Sequence, residues 1–597
     1  MTSHRLSPLP EKPRSLESGS LERTGILEGE ASTEEAACVR LVVAYHERTK
    51  HHFHRYAASL GYMDWATQPD PFRRYAGTDL VRLPLPKAGR PLPYWQLYAS
   101  AGVGTIVPPM PLSLASVSLF FRYALSLTAW KQSGDTTWPL RANPSSGNLH
   151  PTEGYAILPA VDQIGETAAV YHYAARTHAL ERRAVLNATR WTELTGSFSQ
   201  GPFPEGSFFV GLSSVHWREA WKYGERAFRY CQHDVGHALA SLRIAAAALG
   251  WRLVLQDSVS DGILSSLLGL DRDEDFAAAE REEADLLVLI SLDLPAPLST
   301  ESKLLTAHGS DVLWQGRANT LSPKHNIEWP VIDAIAQATR RGESAPIKEN
   351  FSGFPLEDAL FWTPIRQGLL TAETAILGRR SAVAMDGSTA ISQESFFSML
   401  ARLIPTQEQR AMPWDAIPWR PRIHLGLFVH RVDGLAPGIY ALVRDPHKID
   451  ILKSVMHAEF CWHRVPDCPP GLPLYLLQEG DCRALATTVS CGQDIAGDGA
   501  FSLAMIADYM DSLATYGSGF YRNLFWEAGM VGQLLYLEAE ESGIRATGIG
   551  CYFDDPVHAA FGIVSREWQS FYHFTVGGPV EDSRLATLPA YNFEEEQ

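Results

Sequence analysis

Apolar residues recur at helical spacing through "CVRLVVAYHERTKHHFHRYAASLGYMDWA" (38–66), which predicts a helix ended by the prolines of "TQPDPFRRYAG" (67–77). "LPLPKAGRPLPYW" (83–95) reads as a linker. From about 96 to 296, helical patterns alternate with short apolar runs such as "GYAILPAV", "SFFVGLSS" and "ADLLVLISL", which are expected strands. Over 300–365 the strongest period lies in "WPVIDAIAQATRRG", a predicted bridging helix. The alternation resumes from about 366 to 590 with "IHLGLFVH", "GIYALVR" and "FYHFTVGG". The pattern is that of an α+β protein, not an all-helical one.

The two alternating regions are copies of one another. "KYGERAFRYCQHDVGHALASLRIAAAALGWRLVLQD" (222–257) aligns without gaps on "TYGSGFYRNLFWEAGMVGQLLYLEAEESGIRATGIG" (515–550). Tyr223 meets Tyr516, Gly224 meets Gly517, Arg229 meets Arg522, Gly236 meets Gly529, Gly250 meets Gly543 and Arg252 meets Arg545, always 293 residues apart. The same offset carries Gly269 onto Gly562. Each segment reads as a long helix, a glycine stop and a short strand. The expected organisation is a disordered leader over 1–37, a helical extension and linker over 38–94, copy 1 over 95–299, a linker with a bridging helix over 300–365, and copy 2 over 366–597.

Composition narrows the function classes. Of 597 residues, 45% are hydrophobic and 10% aromatic, ample for large cores. The formal net charge of −17 argues against nucleic-acid binding. No apolar run is long enough to span a bilayer and no basic face would hold the chain to anionic lipid. The first residues lack the apolar core of a secretory signal. Seven cysteines lie scattered, without a CxxC pair, so a reduced cytoplasmic setting is expected. His46, His51, His52 and His54 invite a metal reading, but no familiar ligand spacing completes it; a solvated basic helix face is expected, and no metal.

"PSSGNLHPTEGY" (144–155) is a turn-rich loop before an expected strand, and it occurs in copy 1 alone. By itself it is either a helix cap or a ligand loop. Together with "KYGERAFRY" (222–230), "GRRSA" (378–382) and "GIGCYFDD" (548–555), it resembles the nitroreductase family of flavoproteins, and within it the SagB-type branch of thiazole/oxazole-forming dehydrogenases. The resemblance runs from about residue 40 to 590. It implies two tandem nitroreductase-like domains, each a mixed, mainly antiparallel sheet flanked by helices, forming an intramolecular pseudo-dimer. It also implies FMN bound where two copies meet, with an Arg-x-Ser start and a late glycine loop from one and the serine-rich loop from the other.

The pieces are distributed to suit one such site. Copy 2 holds the arginine start and "GIG" at 548–550; copy 1 reads "LYASAGVG" (97–104) and "LQD" (255–257) at those places. Copy 1 holds the serine-rich loop; copy 2 reads "PWDAIPWRPR" (413–422) there. One FMN per chain is therefore expected. Its candidate ligands are Arg379, Arg380 and Ser381, the loop residues Pro144, Ser145, Ser146 and Asn148 with Gly147 for close approach, and Gly548, Ile549 and Gly550 against the ring. Guanidinium groups suit both a phosphate and the electron-rich edge of a reduced flavin. Val383 stands where the family pattern often has a further arginine, and Arg584 is the expected substitute. Lys222 and Tyr223 are the catalytic candidates: a lysine desolvated beside a flavin becomes a usable base, and the tyrosine relays or polarises. Copy 2 has Thr515 in place of the lysine. Cys551 is expected to be a small buried residue without a thiolate role.

The resemblance implies an FMN-dependent oxidoreductase that dehydrogenates a heterocyclic or peptide-derived substrate, passing hydride to flavin N5. The alternatives are an NAD(P)H-dependent reductase of nitro or quinone-like electrophiles, and a non-catalytic pseudo-dimer scaffold.

Overall fold

A computed structural model describes residues 33–86, 91–98, 107–197, 203–292, 312–325, 327–342, 347, 349, 370–405 and 412–591. The first 32 residues of the expected leader, most of "LYASAGVG" and most of the 300–365 linker lie outside the described residues.

The helices that position the site are α1 (Thr33–Arg48), α2 (His216–Tyr223), α3 (Ala227–Ala248), α4 (Pro330–Ala338), α5 (Ala372–Gly378), α6 (Phe520–Glu541) and α7 (Asp554–Phe561). Copy 1 contributes β1 (Asp79–Arg82), the hairpin β2 (Leu127–Ser133) and β3 (Thr136–Arg141), then β4 (Thr152–Leu158), β5 (Ala169–Ala174), β6 (Ala179–Val185), β7 (Phe208–Ser214), β8 (Arg252–Leu255) and β9 (Glu283–Ser291). Copy 2 contributes β10 (Ile423–Val429), β11 (Gly438–Leu442), β12 (His463–Arg464), β13 (Leu474–Glu479), β14 (Phe501–Asp508), β15 (Arg545–Ile549), β16 (Trp568–Gly577) and β17 (Ala586–Leu588).

Among the described residues there are two seven-stranded sheets, whose six inner and far-edge strands share one topology while the first edge strand comes from a different place in the chain. Their orders are β1-β6-β5-β4-β7-β9-β8 and β12-β13-β11-β10-β14-β16-β15, and every pairing in both is antiparallel. The central strands β4, β7, β10 and β14 are buried along their whole length, so they read as apolar runs and not as an alternation. The edges show where the copies depart from the sequence boundaries. β1 comes from the stretch expected to be an extension and linker, yet Leu80 pairs with Glu181 and completes copy 1's sheet. β17 leaves copy 2 and adds to the copy 1 hairpin, Thr587 opposite Lys131.

The two long helices α3 and α6 form the centre. They cross at the matched glycines: a Cβ on Gly236 would overlap the Trp526 carbonyl, and one on Gly529 would overlap that of His233, itself 293 residues before Trp526. Helix backbones this close tolerate no side chain, which is why both glycines stand at mid-helix despite their cost there. The same pseudo-two-fold relates two buried ion pairs across the copies. Arg229 reaches Asp554 at 2.9 Å, and Arg522 reaches Asp261 at 2.6 Å.

The predicted helix over 38–66 stops at Arg48. The chain leaves it because the His51 amide donates to the Asp554 carboxylate at 3.0 Å and His52 pairs with Arg55. The expected solvated histidine face is corrected at two positions. His46 is fully buried against Tyr509 and Phe571 of copy 2, 3.1 Å from Tyr521 Oη, and His51 is buried too. The predicted bridging helix is present as α4. No helix of the described residues is long and apolar enough to cross a membrane.

Candidate functional site

The loop that follows β3 is held in a left-handed bend, with φ of 57° at Gly147, 61° at Asn148 and 53° at His150. Its polar side chains build that bend. Ser145 Oγ accepts the His150 amide at 2.7 Å, and Asn148 Nδ2 donates to the Pro139 carbonyl at 2.9 Å. Ser146 donates its amide at 3.0 Å and its hydroxyl at 2.9 Å to Asp234 of α3. What the loop leaves exposed is Gly147, where it meets the end of α2: a Cβ there would overlap Tyr223 Oη and lie 3.1 Å from Lys222 Nζ. Gly147→Ala is therefore expected to cost about 1–2 kcal/mol from its left-handed backbone alone, and more from displacing Tyr223. Urea denaturation checks this; an unchanged midpoint would remove the close contact from the account.

The catalytic candidates continue to the glycine loop of copy 2. The Tyr223 ring lies 4.5 Å from that of Tyr230, and Tyr230 Oη donates to the Gly550 carbonyl at 3.1 Å. Arg226 donates to the same carbonyl at 3.3 Å. Cβ atoms on Gly550 and Gly548 would overlap Tyr230 and Tyr572, so these glycines make room for tyrosines at least. Ile549 turns its side chain into copy 2's core. The Gly548 amide donates to Tyr536 Oη at 3.1 Å, and Tyr536 Oη lies 2.8 Å from Ser381 Oγ.

From Ser381 the contacts return to copy 1. Arg379, which follows α5, donates from Nε to the Ala142 carbonyl at 3.1 Å and from Nη2 to the Arg141 carbonyl at 3.0 Å, just before Pro144. Arg380 donates to Thr128 Oγ1 at 3.1 Å on β2. The serine-rich loop, Lys222–Tyr223, the glycine loop and the arginine start thus form a closed circuit that crosses between the copies twice. Arg584 stands outside it: its side chain is 85% exposed and paired with Asp582 at 2.8 Å.

The electrostatics of the circuit have two poles. Arg379, Arg380 and Arg545 share one acidic neighbour, Glu540. Burial, then the Arg379 and Arg545 charges, bring Arg380 down to about 10. Arg379 Nη1 is buried with no hydrogen-bond partner, a cationic donor left for an anion or a ring carbonyl. Around α2 buried carboxyls gather instead. Burial raises Asp234 to about 7 against the pull of the loop hydrogen bonds. Burial, then Asp234, push Glu219 well above the carboxylate range, and neither of its oxygens has a hydrogen-bond partner. Burial, then Glu219, keep the Tyr223 phenol protonated.

Sequence reasoning missed Glu219, Asp234, Tyr230 and Tyr536. The repeat held a signal for Asp234, because 293 residues on stands Glu527, which accepts the Arg422 and Ile423 amides as Asp234 accepts that of Ser146. At this pseudo-symmetric place the space is packed. Trp414 and Trp419 are each 2% exposed, Arg444 pairs with Glu527, and Arg243 grips Asp415 through two hydrogen bonds of 2.9 and 2.7 Å.

The donors fit a flavin mononucleotide: an unpartnered buried guanidinium nitrogen, a local surplus of arginine charge, and an exposed glycine between polar side chains. The sequence profile of the nitroreductase family matches residues 476–578. Trifolitoxin-processing protein TfxB of Rhizobium leguminosarum bv. trifolii is 34% identical over 182 residues, 29% of this chain and 48% of TfxB, so the chain spans about half the length of this curated relative. A solved nitroreductase structure from Anabaena variabilis covers 90% of this chain and 99% of its own, with a TM-score of 0.61 and 22% identity, and so shares the fold. The E. coli microcin synthetase McbBCD complex with truncated pro-MccB17 bound is 16% identical, covers 45% of this chain and 99% of its own, and has a TM-score of 0.26. Residues 476–578 of the chain thus match the nitroreductase family, and the whole described chain has the fold of the Anabaena structure, built here as two copies in tandem.

Proposed function

We propose that the chain is an FMN-dependent oxidoreductase with one flavin site, which dehydrogenates a heterocyclic, peptide-derived substrate. The observation that carries this reading is the closed circuit joining Arg379–Ser381 and Gly548–Gly550 of copy 2 to the 144–150 loop and Lys222–Tyr223 of copy 1. The packing of Trp414, Trp419 and the Arg444–Glu527 pair at the opposite position supports one site per chain.

When bound, the flavin supplies a two-electron acceptor for hydride. The chain's own groups do the rest. Arg379 Nη1 and the neighbouring Arg380 hold the anionic part of the cofactor or the edge that gains charge. The 144–150 loop, braced by Asp234, fixes the floor on which Lys222 and Tyr223 stand. Lys222 Nζ takes the proton the substrate releases as its hydride departs, and protonated Tyr223 Oη donates a hydrogen bond beside it.

Purified protein is expected to show an oxidised-flavin spectrum with about one FMN per chain. Colourless protein that takes up no added FMN would sink the reading. Lys222→Ala is expected to keep its flavin while turnover of a thiazoline-containing peptide falls by about 10²–10⁴. Normal turnover in that variant would remove Lys222 as the base.

A further inference from the structure

Two half-buried thiols meet beside the glycine loop, and the circuit described above uses neither. The backbone brings them together: the Phe553 amide donates to the Val489 carbonyl at 2.8 Å, and Gln493 Nε2 donates to both the Ser490 and Cys551 carbonyls at 2.8 Å. Cys491 sits at φ 57° and Gly492 at φ 70°, a left-handed turn that few non-glycine residues adopt. There the Cys491 and Cys551 thiols lie close enough to perturb each other. A third group joins from the N-terminal extension. His51 Nδ1 accepts the Ala57 amide at 3.0 Å, so its neutral ring carries the proton on Nε2, and the imidazole lies beside Cys551. Arg226 and Asp554 complete the charged surroundings, and Tyr56 lies near Cys491.

We propose that Cys491 and Cys551 are a redox-active dithiol that a hydroperoxide closes to a disulfide, with Cys551 attacking and Cys491 resolving. The two sulfurs differ in the way this needs. The Cys491 thiol, then His51 and Arg226, lower Cys551 despite burial, whereas Cys551 and burial push Cys491 up. The Cys551 thiolate attacks a peroxide oxygen; the S–O bond forms, the O–O bond breaks, and hydroxide leaves to become water. Cys491 sulfur then attacks the Cys551 sulfenic acid; the S–S bond forms, and the departing hydroxide takes the Cys491 proton as a second water. Two thiols are oxidised by two electrons and one hydrogen peroxide is reduced to two waters. The bond ties the 490–493 turn to the residue after Gly550, whose carbonyl Tyr230 and Arg226 hold. Oxidation therefore acts on the loop that closes the circuit. The inference stands whether or not that circuit binds flavin.

The test is peptide mapping of the reduced full chain after near-equimolar hydrogen peroxide, with exposed Cys461 as the internal reference. The expected product is a Cys491–Cys551 disulfide, reversed by dithiothreitol and formed before Cys461 is modified. Oxidation of Cys461 while both partners stay free would overturn the proposal, as would a disulfide to any other cysteine. Cys491→Ser is expected to leave Cys551 as a sulfenic acid that dimedone traps; absence of the adduct removes Cys551 as the attacking group. In wild-type protein, iodoacetamide at mildly acidic pH is expected to alkylate Cys551 ahead of Cys461, and His51→Gln to slow Cys551 alone. Alkylation of Cys461 first would equally overturn the assignment.

Discussion

Asp554→Asn is expected to destabilise the folded chain by about 3–5 kcal/mol, because it strips the partner from two buried guanidinium groups at once. Asp554 is fully buried and takes Arg229 Nη1 at 2.9 Å, Arg226 Nη1 at 3.1 Å and the His51 amide at 3.0 Å. It thus ties copy 2 to copy 1's central helix and to the N-terminal extension, where Lys50 adds a bond to Asp555 at 3.0 Å. The arginine and lysine charges hold its carboxyl far below the usual range against burial. A depressed folded value means the contribution is complete above the unfolded aspartate value of about 4 and fades as pH falls through the folded one. The gap between wild type and Asp554→Asn should therefore be full at neutral pH and narrow in acid. Urea denaturation at the two pH values reads it. A gap below about 1 kcal/mol at neutral pH would mean that the cross-copy pairs add only surface-bridge energy.

The duplication was legible because packing pins it at points that sequence displays. Gly236 and Gly529 are fixed by the helix crossing, and Arg229 and Arg522 by their carboxylates in the other copy. Six strands of each sheet then share one order, and only the edge strands β1 and β12 break it, coming from different places in the two copies; no periodicity marks them at two to four residues' length. The site was legible where a motif is contiguous, and lost where chemistry is assembled by distance. Glu219 reads as an ordinary acid on a short helix; only the fold puts it at 0% exposure under the 144–150 loop's anchor. Cys491 lies 60 residues from Cys551 with no spacing to announce the pair. His46 and His51 read as solvated because the surface that buries them belongs to copy 2. The loop's serines and Asn148 were read as facing a ligand, and each makes a hydrogen bond that shapes the loop first.

Arg379→Ala is expected to weaken flavin binding by about 2–5 kcal/mol, roughly 30- to several-thousand-fold, enough for the variant to purify colourless. Two of its three guanidinium nitrogens already serve the Arg141 and Ala142 carbonyls, which fixes the plane of the fork. The Tyr536 ring lies 5.0 Å from Cζ and braces it further. The third nitrogen, Nη1, is buried without a partner, in a side chain 4% exposed overall. Burial and the Arg545 charge act to lower this guanidinium's pKa, and Tyr536 and Glu540 only partly offset them. Such a group gains most from an added acceptor, since its desolvation is already complete. Arg379→Lys keeps a charge but loses the fork, so it should drop the two carbonyl bonds and recover only part of the affinity. Comparing FMN with riboflavin separates the two possible targets. A loss confined to FMN assigns Arg379 to the phosphate, whereas an equal loss for both assigns it to the ring edge, where a fixed positive charge favours the reduced state. Wild-type flavin content in Arg379→Ala would break the circuit at the point where copy 2 reaches into copy 1, and the single-site reading with it.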